Sequence, residues 1–108
     1  MKPTAIVDLQ LETGSDRMPV YNTDQIQIMR IRLEPGDAVP HHNANSNVLI
    51  VPLQGTVRVT QDNGDADELA SGEALSVEFQ TPMLVSNPGD EPLTFLVLKT
   101  PHPRKMSE

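Results

Sequence analysis

The chain predicts an all-β fold, a sandwich or barrel of short strands, and three observations carry that prediction. Apolar runs of strand length recur along it, either alternating with polar residues or continuous. Turn signals separate these runs at close intervals, at Asp62-Asn63-Gly64-Asp65, at Ser71-Gly72 and at Asn87-Pro88-Gly89-Asp90. Ten prolines and six glycines punctuate 108 residues, and no stretch sustains a helical period.

Taken in order, the segment from Thr4 to Asn22 is expected to add a peripheral strand. Ile26-Gln27-Ile28 and Met29-Arg30-Ile31-Arg32-Leu33 both alternate, but the phase flips between Ile28 and Met29. A bulge there, or burial on both faces, accounts for such a flip. Arg30 and Arg32 share one face, expected to point outward into solvent. Val48 to Leu53 is a continuous apolar run, as in a strand buried within a barrel. Thr56 to Thr60 alternates cleanly. Asn63-Gly64 predicts a type I′ hairpin turn, whose two central residues both take positive φ. The acids around it, Asp62, Asp65, Asp67 and Glu68, lack the spacing of an EF-hand calcium loop and read as a solvated tip. Ala74 to Phe79, Met83 to Val85 and Leu93 to Leu98 are further strands. The tail from Thr100 is polar, interrupted by proline and expected to be loose at its end.

Length suits one domain with a single core. Without cysteine there is no disulfide framework, thiol nucleophile or thiolate zinc site. A net charge of −7 disfavours nucleic acid and anionic membranes as partners. Aromatics at 3% supply no stacking platform. The first residues do not form a secretory signal, and no apolar run reaches membrane-spanning length, so a cytoplasmic location is expected.

Two segments carry the functional argument. The first runs Glu34-Pro35-Gly36-Asp37-Ala38-Val39-Pro40-His41-His42-Asn43-Ala44-Asn45-Ser46-Asn47-Val48 and closes at Gly55. The second runs from Gly72 through Pro82-Met83 to Asn87-Pro88-Gly89-Asp90-Glu91-Pro92. Together they resemble the paired motifs of the cupin superfamily over about Met29 to Thr100. The resemblance implies a double-stranded β-helix, a jelly-roll barrel of the cupin type. It divides the chain into an N-terminal segment 1–28, a barrel 29–100 and a tail 101–108. In that family the motifs usually supply three histidines and a glutamate to one metal. The matching positions here are His42, Ala44, Val48 and Met83, so one ligand of four remains. The glycines Gly36, Gly55 and Gly72 hold register, with Pro82 and Asn87, while Glu78-Phe79-Gln80 replaces the usual Pro-x-Gly turn.

Residues two apart on a strand share a face, so 42, 44 and 48 are expected to point inward, with Met83 joining them from another strand. A one-residue bulge would turn His41, Asn43 and Asn47 inward instead. A metal is not expected, because a methyl, an isopropyl and a thioether cannot hold a hard divalent ion beside one imidazole. Soft copper on Met83 with His41 or His42 is the one metal chemistry those residues could offer. Ser46 near His41 and Asp37 has the residue types of a nucleophilic triad but no distinguishing spacing. Asn87 reads as fixing the geometry before Pro88.

The sequence thus predicts a metal-free barrel, without cofactor, that binds a small organic molecule or serves as a non-catalytic sensor. The pocket residues are His41, His42, Asn47, Val48, Met29 and Met83, with His41 or Asn47 at the mouth. The alternative is an enzyme: a metal-dependent dioxygenase or isomerase with an unusual site, or a metal-free isomerase using His42 as base. The resemblance also implies a homodimer formed through edge strands.

Overall fold

A computed structural model describes residues 2–9 and 16–107. Nine strands form two facing antiparallel sheets, and α-helix is absent from the described residues. The strands are β1 (Asp16–Asn22), β2 (Gln27–Leu33), β3 (Ala38–Asn43), β4 (Asn47–Gln54), β5 (Val57–Gln61), β6 (Ala66–Leu69), β7 (Leu75–Val77), β8 (Pro82–Ser86) and β9 (Leu93–Thr100). One sheet has the order β1-β2-β9-β4-β7 and the other β3-β8-β5-β6. The peripheral strand expected before Asn22 is β1, at the edge of the five-stranded sheet, whereas positions 10–15 of that segment lie outside the described residues.

Alternation builds the core. Ile31, Ile50 and Phe95 face Val39, Val59 and Val85 from the opposite sheet, all buried. Leu33, Val57, Leu69 and Leu93 pack the far end of the barrel, with Leu93 and Val57 wholly excluded from water. Gly55 makes that end possible. Its φ is +85°, and a Cβ there would lie 2.8 Å from the Pro92 carbonyl oxygen.

The phase flip near Ile28 comes from burial on both faces, since β2 pairs with β9 without any register shift. Met29, Ile31 and Leu33 face the interior. Ile28 and Leu96 instead share an apolar groove on the outer face with Val7, Leu9, Val20 and Tyr21. The irregularity lies in β1, between Pro19 and Tyr21.

Arg30 and Arg32 are on the outer face, as alternation requires, but they are not solvated. Arg30 is 4% exposed, with its guanidinium against the Met18 sulfur and the Asp8 carbonyl. Arg32 pairs with Glu34 at 2.5 Å. Asp8 and Met18, both from chain preceding β2, thus cover the Arg30 guanidinium.

The hairpin tip also differs from expectation. Asn63 keeps a negative φ and Gly64 alone is positive, at +91°. Gly64 N donates to Gln61 O and Gln61 N to Asp65 O, so the loop is a tight turn completed by a left-handed glycine rather than type I′. The tail is anchored through residue 104. Ser46 Oγ donates to Pro101 O, His102 N to Asp24 O, and Arg104 pairs with Asp24 from within a short 3-10 turn at Pro103–Ser107.

Candidate functional site

The two sheets leave a cavity of about 240 Å³ at the end of the barrel where β3 and β8 meet β9. Its floor is apolar: Phe95 and Ile50 are fully buried, and Met83 and Val85 are 3% exposed. Its mouth is polar and open to solvent, with Arg17, His42 and Asn45 all exposed.

Position 42 reaches this space through a bulge. Val39 pairs with Val85 and His42 with Met83, so β3 spends three residues where β8 spends two. The extra residue lets Val39, His42 and Ala44 all face inward. The bulge therefore does not swap the two histidines. His41 turns outward and bonds Asp62 Oδ1 at 2.6 Å, with both side chains more than half exposed. His42 lines the cavity, and its Nδ1 lies 2.8 Å from the Pro40 carbonyl oxygen. A carbonyl only accepts, so Nδ1 carries a proton and donates it to Pro40 O.

Of the sequence-predicted pocket residues, Met29, His42, Val48 and Met83 line the cavity. His41 and Asn47 do not. Asn47 was expected at the mouth, but its Oδ1 accepts from Phe79 N at 3.1 Å. It clamps the turn between β7 and β8 together with Ala44 O, which accepts from Gln80 N at 2.7 Å. In that turn Gln80 takes φ +69°, the left-handed conformation that the missing glycine would have supplied. Asn87 is 3% exposed and donates to Leu33 O and Glu91 O while accepting from Gly89 N. That matches its expected part in shaping the turn.

The structure adds two site residues that sequence reasoning missed, Lys99 and Arg17. Lys99 carries a legible signal: it continues the inward set Leu93, Phe95 and Val97 by two residues. Burial pushes its pKa below the ordinary 10.5, and the nearby Arg17 charge lowers it further. Arg17 pairs with the inward Ile31, a register that its own sequence does not reveal. Neither cation makes an ion pair or side-chain hydrogen bond with a described residue.

Residues 29–99 match the sequence profile of the Cupin domain family. The chain belongs to the cupin superfamily. Over 88 residues this cupin is 33% identical to the uncharacterized protein MJ0764 of Methanocaldococcus jannaschii, covering 82% of this chain and 76% of that one. The crystal structure of MJ0764, a cupin with a double-stranded β-helix fold, superposes over 100% of both chains with a TM-score of 0.89 and 26% identity. Likeness of fold alone extends further. A Cupin_2 domain of an XRE family transcriptional regulator from Enterobacter cloacae aligns with TM-score 0.68 at 20% identity, over 80% of this chain and 95% of that one. The DMSP lyase DddQ from Ruegeria pomeroyi aligns with TM-score 0.71 at 15% identity, over 80% of this chain and 46% of that one.

Many cupins hold a metal where positions 42, 44, 48 and 83 converge. All four line the cavity here, but the donor set does not fit a metal. Among the described residues, no three histidines, cysteines or acids lie close enough together to ligate one. His42 and Met83 are direct cross-strand partners, giving one imidazole and one thioether. Two donors fall short of the three or four that protein sites usually supply. Among the described residues the mouth lining contains no carboxylate either.

Proposed function

We propose that this cupin binds a small organic molecule inside the barrel, without a metal, as a carrier or non-catalytic sensor. The observation that carries this reading is the cavity itself. The positions that would hold a metal converge on it, yet they present an apolar wall with a few polar groups at the rim. Sites for small ligands have that composition. A barrel used only as an interaction platform has no need of such a space, and a fully packed interior would have favoured that role.

Trace-metal analysis and native mass spectrometry of the purified protein test the reading. Retention of a small organic mass, without stoichiometric transition metal, is the expected result. A stoichiometric metal would overturn it.

A second reading rests on the His42 tautomer. With Nδ1–H held by Pro40 O, Nε2 is the ring nitrogen left to serve as a base at the cavity mouth, as a metal-free isomerase would need. A carbonyl orients the ring but gives the imidazolium less support than a carboxylate, so binding is favoured over turnover. Loss of any detected turnover in His42→Ala, with the barrel still folded, would establish the enzyme.

The assembly belongs to the same proposal. On the outer face of the five-stranded sheet, Leu49 and Leu53 are each 38% exposed, and Met18 and Tyr21 more so. Alternation normally makes an outer face polar, so this apolar surface supports a homodimer. A cytoplasmic location is in keeping with the charge and lack of cysteine. Among the described residues no helix is long and apolar enough to cross a membrane.

A further inference from the structure

The cavity of this cupin combines two features seldom placed together. Its walls are apolar, formed by Ile31, Val48, Met83 and Phe95. Its charged lining groups are cationic: Arg17 from β1 and Lys99 from β9. Among the described residues no carboxylate lines it, although acids outnumber bases 15 to 8 in the chain. A random sample of such a surface would place negative charge at the mouth.

The placement of Lys99 sharpens the point. It sits opposite the buried Val48 across the β4–β9 pair and is itself half-buried. Burying an ammonium without a partner is costly, and a second cation nearby adds to the cost. In the described structure neither Lys99 nor Arg17 has an anionic partner. An anion entering the cavity would supply that partner to both.

The geometry points to a ligand class: a small carboxylate with an apolar body, its charged group between Lys99 and Arg17 and its body against Ile31, Val48, Met83 and Phe95. This rests on the reading of the cavity as a ligand site and adds the chemistry of the occupant. Size limits that occupant. The cavity measures about 240 Å³. A short-chain or single-ring carboxylate fits, whereas a nucleotide or a long acyl chain does not. Guanidinium offers a carboxylate paired donors in one plane, and the ammonium adds a compact second charge.

The experiment compares charged and neutral probes of one shape on the full chain. Hexanoate and benzoate are titrated calorimetrically against hexan-1-ol and benzyl alcohol, using wild type, Lys99→Met and Arg17→Met. The expected result is that wild type prefers each acid over its alcohol at least tenfold. Both variants should lose that preference while still binding the alcohols. Met keeps the length and apolar volume of each stem, and a melting curve for each variant establishes folding. Equal binding of acid and alcohol by wild type, or unchanged acid affinity in folded variants, would overturn the carboxylate assignment and leave the cavity reading standing. Failure of all four probes to bind wild type would overturn both together.

Discussion

Lys99 stands directly opposite Val48 on neighbouring strands of the five-stranded sheet, with both facing the cavity. A hydrophobic residue thus occupies the glutamate position of the usual metal motif, and a cation shares its wall. The balance of charge in the barrel interior is reversed relative to a site built to hold a cation. Hydrophobic burial costs nothing there, whereas the half-buried Lys99 gives up part of its hydration.

That cost sets a pH dependence. Burial first, and the Arg17 charge second, lower the Lys99 pKa from 10.5. Between the lowered value and 10.5 the unfolded chain binds more protons than the folded one, so stability rises as pH rises through that window. The other ionisable side chains lining the cavity are Arg17 and His42. Lys99→Met should melt higher than wild type at neutral pH, and the gap should narrow toward pH 10.5. Melting curves across pH check this, and a constant gap would contradict it.

The convergence of positions 42, 44, 48 and 83 can be tested by restoring donors. The combination Ala44→His, Val48→Glu and Met83→His, with native His42, should bind Co²⁺ with the absorption bands of a ligated ion. Wild type should show none. Ala44 is 2% exposed, so the larger side chain should cost about 1–3 kcal/mol of stability from overpacking.

Gly55 and Gly64 both have positive φ, but only Gly55 meets backbone, with the Pro92 carbonyl 2.8 Å from a Cβ. Gly64→Ala should cost about 1 kcal/mol from conformation alone. Gly55→Ala should cost more than that, about 3 kcal/mol, because the close approach adds to the strain. Chemical denaturation of the two variants side by side measures the difference.

Asn87→Ala should cost about 2–4 kcal/mol. The side chain is buried and serves two carbonyls and one amide, and its removal leaves the Leu33 carbonyl without that donor inside the barrel. In contrast, His41→Ala should change stability by no more than about 1 kcal/mol, since its pair with Asp62 is exposed. Denaturant midpoints compare them.

The frame was legible because its determinants are local. Gly36 and Gly72 take the positive φ that their turns demand, and the apolar runs sit on the strands they suggested. The fate of the two histidines was not legible, since a bulge is a property of two strands in register and β8 lies some forty residues away. Asn47 misled for a similar reason. A short amide beside a motif looks like a pocket group, but its partner is the Phe79 amide in a turn distant in sequence. Lys99 was readable from its period-two spacing after Val97, yet it lies at the end of a run whose apolar members draw attention first. Arg17 depends on the pairing of an edge strand, which composition does not encode.

The bulge between Val39 and His42 makes β3 tolerant of a change in chain length at one place. Deleting His41 would leave Val39, His42 and Ala44 at regular two-residue spacing, all still on the inner face. Deleting Asn43 would instead send Ala44 outward and break the approach to β4. A single lost codon is therefore expected to be harmless at one position of this strand and ruinous two positions later.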